Sequence, residues 1–198
     1  MKKIIFDVGA NNGASCFNRS GQNCKVYAFE PTPHLLNKYL LPRQSDNYIV
    51  VPKAISDYNG KATFNIAAER GGGCSSLNTF SDGLDKTWPN RTDFKVTDTV
   101  EVDVMRMDTF IEENNIEYIN WLHCDTQGND LKVLKSFGEK IHILESGVVE
   151  AFAKNPLYKE SDNSKEAIVE FLEKNNFKIQ SITSNDPYNN ELNVSFSK

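Results

Sequence analysis

The sequence predicts an α/β fold: an open, mostly parallel sheet with helices on both faces. Three observations carry this reading. Short apolar runs recur along the chain, helical patterns separate them, and the first run ends in a glycine-bearing loop. The 198 residues suit one domain, with room for one well-buried core. Lysine and arginine number 22 against 27 aspartates and glutamates, a net charge of −5 with no dense basic run. That balance gives no support to a polyanion partner, so no nucleic acid is expected. No apolar stretch approaches the length of a membrane span, and the apolar start at Ile4 is cut short by Asp7 and Gly9. The four cysteines, Cys16, Cys24, Cys74 and Cys124, form no C-x-x-C pair, so neither a zinc finger nor a disulfide framework is expected. A soluble, cytoplasmic protein follows as the expectation.

Each element has its own signature. Ile4 to Val8 is a buried strand stopped by Gly9, with a helix expected after Gly13. Val26 to Glu30 is the second strand, closed by Pro31. Thr32 reads as an N-cap with Pro33 in the first turn of a helix that Pro42 stops. Tyr48 to Val51, with Lys53 to Ile55 as its exit, is the third strand. A helix from about Asp108 precedes a fourth strand, Trp121 to Asp125, and Gly128-Asn129-Asp130 leads into a helix that Gly138 terminates. Gly147 to Phe152 is the fifth strand. Asn163 and Glu166 suggest a capping box for the next helix, and Phe177–Thr183 with Leu192–Phe196 a terminal hairpin that adds an antiparallel strand. Between about 58 and 107 the rhythm breaks into two alternating runs, Lys61–Ile66 and Thr99–Val104, with long Gly/Ser/Asn/Asp-rich flanks. This is a β-rich insertion within a single domain spanning 1–198.

The chemistry gathers at the strand ends. Asp7-Val8-Gly9-Ala10-Asn11-Asn12-Gly13 is a turn through which a ligand can approach the main chain. Gly9 and Gly13 stand four apart, unlike the G-x-G-x-x-G dinucleotide fingerprint, and Asp7 favours a ligand with positive charge. Glu30 ends the second strand, where a carboxylate accepts both hydroxyls of an adenosine ribose. Alternatively, it is a plain acidic residue at a helix start. Ile55, Ser56 and Asp57 flank the place of an adenine ring, although Asp57-Tyr58-Asn59-Gly60 is equally a turn sequence. Asp125 lies at the carboxyl end of a central strand, with His123 on the same face.

In this order and spacing, several blocks resemble the FkbM-type S-adenosylmethionine-dependent methyltransferases from Ile4 to about Ile179. They are Ile5 to Gly13, Ala28-Phe29-Glu30-Pro31, Ala54 to Asp57, Met107-Asp108-Thr109-Phe110, Asp125-Thr126-Gln127-Gly128, and Glu150 followed by Pro156-Leu157-Tyr158. The resemblance implies a Rossmann-like class I methyltransferase sandwich of seven strands, the last antiparallel. It implies S-adenosylmethionine as donor and a hydroxyl oxygen as acceptor. Where that family commonly has Lys and Glu in the fourth-strand motif, this chain has His123 and Gln127.

The expected donor-binding residues are Asp7, Gly9, Asn11, Asn12, Gly13, Glu30, Pro31, Ile55, Ser56, Asp57 and Asp125. Asp125 is the first candidate base for a hydroxyl acceptor, His123 the second and Glu150 the third. No metal is expected, the alternative being a divalent ion between Asp125 and Glu150. The acceptor is expected to be a small hydroxylated molecule such as a sugar, read by the insertion or by Phe152–Ser164. Arg70 to Ser76 is a candidate lid over the donor. Two other readings stand beside this one: a nicotinamide oxidoreductase and a non-catalytic adenosyl-binding protein.

Overall fold

The computed structural model describes residues 2–67, 73–89, 91, 93–159 and 161–198. Its strands are β1 (Lys3–Val8), β2 (Cys24–Phe29), β3 (Tyr48–Val51), β4 (Ala54–Ile55), β5 (Gly60–Ile66), β6 (Asp98–Met105), β7 (Trp121–Cys124), β8 (Ser146–Phe152), β9 (Lys178–Ser184) and β10 (Glu191–Ser197). Seven of them form one sheet in the order β3-β2-β1-β7-β8-β10-β9. It is the expected α/β architecture. The pairings from β3 to β8 are parallel, and the last strand, β10, runs antiparallel to both β8 and β9.

Alternation along the strands builds two cores. Phe6, Val8, Tyr27 and Phe29 face one side, where they meet Phe110 and Ile111 of α3 (Met107–Glu113), Leu131 and Leu134 of α4 (Asp130–Ser136), and Ile168 and Leu172 of α5 (Lys165–Lys174). Phe6 meets Tyr27, Phe29 and Phe110 edge-to-face at 5.4–5.7 Å between ring centres, a geometry favoured by the ring quadrupoles. Ile5, Val26 and Ala28 face the opposite side with Cys16, Leu36, Leu40 and Tyr48.

Several local expectations are corrected. No α-helix follows Gly13; only a 3-10 turn, Phe17–Arg19, forms there. β1 and β2 are parallel, so residues 14–23 must carry the chain back along roughly 20 Å of strand. As an α-helix they would span only about 15 Å. The helix opened by Thr32 is α-helical only over Pro33–Leu35 (α1), then widens to a π turn, Leu36–Leu40, and ends as a 3-10 turn, Leu41–Arg43. Pro42 has no N–H to continue the α ladder, so the hydrogen-bond register shifts before it. The cap of α5 is Ser164, whose Oγ accepts Ala167 N at 3.2 Å. Asn163 is drawn into the interior, where it bonds Leu131 N and Glu150 O.

The exit of the third strand does not extend the main sheet. Ala54–Ile55 pairs with β6, which pairs antiparallel with β5, giving a separate three-stranded sheet packed on Ala54, Phe64, Val102 and Val104. Further along the insertion, a single turn of helix, α2 (Leu84–Thr87), brings in the fully buried Trp88.

Candidate active site

The turn after β1 is held by its backbone. Gly9 N and Ala10 N both donate to Phe29 O at 3.0 Å. Gly9 has φ +80°, and a Cβ there would lie 1.9 Å from the carbonyl oxygen of Asp125, so only glycine fits against β7. Asn11 is also left-handed, at φ 51°, and its N–H donates to Glu30 Oε2 at 2.9 Å. Glu30 Oε1 accepts Thr32 N at 2.8 Å, so one buried carboxylate ties the β1 turn to the β2 turn. Burial pushes its pKa up, and the two backbone amides act against that rise.

These turns wall a cleft at the carboxyl ends of β1, β2, β4 and β7. Gly9, Asn11, Glu30, Pro31, Ile55 and Asp125 line it, joined by Leu35, Phe64, Leu77 and Asn129. The other expected donor residues stand back from it. Asn12 O accepts Arg43 Nη1 at 2.6 Å on the outer side of the turn, and Gly13 abuts the Tyr48 hydroxyl. Ser56 is buried and donates to Asn129 Oδ1 at 3.1 Å, while the Asp57 carbonyl receives Arg106 Nη1 at 2.8 Å. Asp7 is fully buried on the opposite side of β1, where its Oδ1 meets His123 Nδ1 at 2.8 Å. His123 therefore faces Asp7 rather than the cleft.

Around Asp125 the structure assembles a polar network. The Gln127 amide nitrogen donates to Asp125 Oδ1 at 2.6 Å and to Glu150 Oε2 at 3.1 Å. Its amide oxygen lies 2.8 Å from the Tyr158 hydroxyl, which is also 2.9 Å from Cys74 O; its one proton can serve either acceptor. Asn185 Nδ2 donates to Glu150 Oε1 at 3.0 Å. Burial first, then Asp125 and Glu191, push the Glu150 carboxyl well up. Burial, then Asp186 and Asp125, push Glu191 up to about 7. Burial and Asp125 push Asp130 up to about 7 as well.

Residues 70–72 of the expected lid lie outside the described residues, and part of its remainder borders the cleft. Gly73 and Ser75 line the cleft, and Ser76 Oγ donates to Gln127 O at 2.7 Å. The free space beneath is about 70 Å³, against roughly 300–1,000 Å³ for small-molecule sites. Asn129 escaped the sequence reading because it looked like a helix lead-in. It is buried, and its Nδ2 donates to Ile55 O at 2.8 Å, locking the β7–α4 turn to β4. Asn185 and Glu191 escaped because only the β8–β10 pairing brings them to Glu150.

A family model described as Methyltransferase FkbM domain matches residues 7–179. The chain belongs to the FkbM methyltransferase family. The methyl donor of this FkbM protein is S-adenosylmethionine, which displaces the nicotinamide reading. No curated protein sequence matches the chain. Solved structures share its fold at low identity. Fibrillarin from Aeropyrum pernix, in complex with natively bound S-adenosyl-L-methionine, is 12% identical with a TM-score of 0.52. It covers 98% of this chain, which in turn spans 66% of it. A putative S-adenosylmethionine-dependent methyltransferase from Listeria monocytogenes is 12% identical with a TM-score of 0.52, over 100% of this chain and 91% of that one. An rRNA methylase from Streptococcus thermophilus is 16% identical with a TM-score of 0.50, over 100% and 87%. No described helix of this FkbM protein is long and apolar enough to cross a membrane.

Proposed function

We propose that this protein methylates a hydroxyl oxygen on a small acceptor such as a sugar or glycoside, with Asp125 as the base. One observation carries the reading: Gly9, Glu30, Ile55 and Asp125, from four separate strand ends, line a single cleft. The cleft suits the donor. Glu30 offers paired carboxylate oxygens for ribose hydroxyls, and Ile55, Phe64 and Leu77 give an apolar wall for a purine. Bound there, the donor supplies an electrophilic methyl group on a sulfonium.

The remaining work is positioning and proton transfer. Gln127 fixes Asp125 through Oδ1, leaving Oδ2 unbonded among the described residues to take the acceptor's proton. Glu150 accepts a hydrogen bond from the same Gln127 amide nitrogen and so helps hold Gln127 against Asp125. His123, turned to Asp7, does not reach the cleft. The acidic surroundings and the net charge of −5 favour a neutral acceptor over a polyanion. The insertion and Phe152–Ser164 read that acceptor, within one methyltransferase domain over 1–198. Four free cysteines fit a cytoplasmic setting.

Incubation with S-adenosylmethionine and a panel of glycosides, read by mass spectrometry, tests the proposal. An O-methylated product from wild type, and its loss in Asp125→Asn, is the expected result. Methyl transfer only to nitrogen acceptors contradicts it.

A further inference from the structure

Behind the β1 turn, on the side away from the cleft, a polar cluster lies inside an apolar core. Asp7 is fully buried; His123 Nδ1 holds its Oδ1 at 2.8 Å, its Oδ2 is buried without a close hydrogen-bond partner among the described residues, and the Cys16 thiol lies against the same carboxyl. The Tyr48 hydroxyl is also buried and unpartnered among the described residues, 2.8 Å from where a Cβ of Gly13 would stand. Cys16 completes the group: one ligand-type atom each from Asp7, Cys16 and His123 lies within 4.8 Å of the others. The indole of Trp121 stacks on the His123 ring at 19°, and the Arg19 guanidinium sits 3.9 Å from the centre of that indole. A buried carboxylate is costly unless a cation offsets it, and His123 is the group bonded to Asp7.

We propose that His123, as an imidazolium, is a positioning residue that neutralises Asp7 and so holds the Gly9–Gly13 turn in shape, making donor affinity fall as the pH rises above neutral. The inference rests on the S-adenosylmethionine reading of the cleft. The groups acting on His123 are Asp7 on β1, Cys16 on the segment after it, and Asp125 and Asp130 after β7; Tyr48 on β3 and Arg43 stand next to Asp7 and Cys16, and Arg19 sits over the Trp121 ring stacked on His123. Burial opposes the charged ring, but Asp7, Asp125 and Asp130 outweigh it and raise its pKa above 6.5. The pair's share of stability is therefore complete below pH 6.5 and is lost as the pH rises through the folded value.

Two variants and two readouts test it. Calorimetric titration with S-adenosylmethionine from pH 6 to 9.5 is compared for wild type, His123→Lys and His123→Gln. The donor's own amino group titrates in this range, but equally for all three proteins. Wild type is expected to lose several-fold more affinity across the range than His123→Lys. His123→Gln is expected to be weak throughout. Parallel curves for wild type and His123→Lys overturn the proposal. Thermal unfolding of the donor-free protein supplies the second readout. Wild type should lose Tm with rising pH relative to His123→Lys, and equal slopes overturn the pairing even if no donor binds. Stoichiometric zinc in the purified protein, absent from Cys16→Ser, would also overturn it, since a metal would then neutralise Asp7.

Discussion

Glu30 and Gly9 shape the cleft in two ways, one by a charge that accepts backbone amides and the other by having no side chain to clash with the Asp125 backbone. The Glu30 carboxylate accepts two backbone amides from turns separated in sequence, and each net bond to a charged group contributes about 1.5–3 kcal/mol. Glu30→Ala is expected to lower Tm and to abolish measurable donor binding, because turn and ribose contacts go together. Gly9→Ala should be more damaging to folding, since its Cβ meets backbone and not a side chain that can move. Asp125→Asn keeps the shape of the site while removing the proposed base. A fall in kcat of about 10²–10⁴-fold with donor affinity held is expected, read by single-turnover kinetics. Glu30 and Asp125 were legible in the sequence because a strand end announces itself by the apolar run before it. The role of Gln127 was not legible: its left-handed backbone, φ 56°, turns its amide between two acids that sequence distance keeps apart.

At the scale of elements, the apolar runs located the main-sheet strands because burial on both faces leaves little room for polar residues. The connections were less readable. A glycine loop promised a helix that the short crossover 14–23 cannot hold, and Asn163 promised a cap but serves the β8–α4 junction. Antiparallel β10 beside β8 also creates a community of acids, bringing Glu191 towards Glu150 and Asp125. That arrangement has a signed pH dependence. The folded Glu191 carboxyl holds its proton up to about pH 7, against 4.5 for the ordinary group. Its favourable share of stability is thus complete below pH 4.5 and lost as the pH rises through 7. Glu191→Gln is expected to raise Tm at pH 8 and to leave it unchanged near pH 4.5, measured by scanning calorimetry. Asn129→Ala removes the link from the β7–α4 turn to Ile55 O and strands a buried carbonyl, so a loss of about 1–3 kcal/mol is expected in urea unfolding.

Across the whole molecule, a seven-stranded sheet supplies the floor of the cleft and the three-stranded side sheet supplies one wall. Residues 73–77 close over that floor through Ser76 and Tyr158, leaving about 70 Å³. On the proposed placement of the donor, its entry requires this segment to move outward. Amide hydrogen exchange should show Cys74–Leu77 exchanging faster than β1 and β2 without donor and gaining protection with it; unchanged exchange would contradict a moving cover. Ser76→Ala, which removes the bond to Gln127 O, is expected to speed donor association more than it alters affinity, read by stopped-flow. The central claim, that the cleft is an adenosyl-donor site organised by Glu30, is tested most directly by calorimetric titration of wild type and Glu30→Ala with S-adenosylmethionine and S-adenosylhomocysteine. Saturable heat with both ligands in wild type and none in Glu30→Ala is the predicted result. Absence of heat in wild type, or unchanged binding in Glu30→Ala, would contradict it.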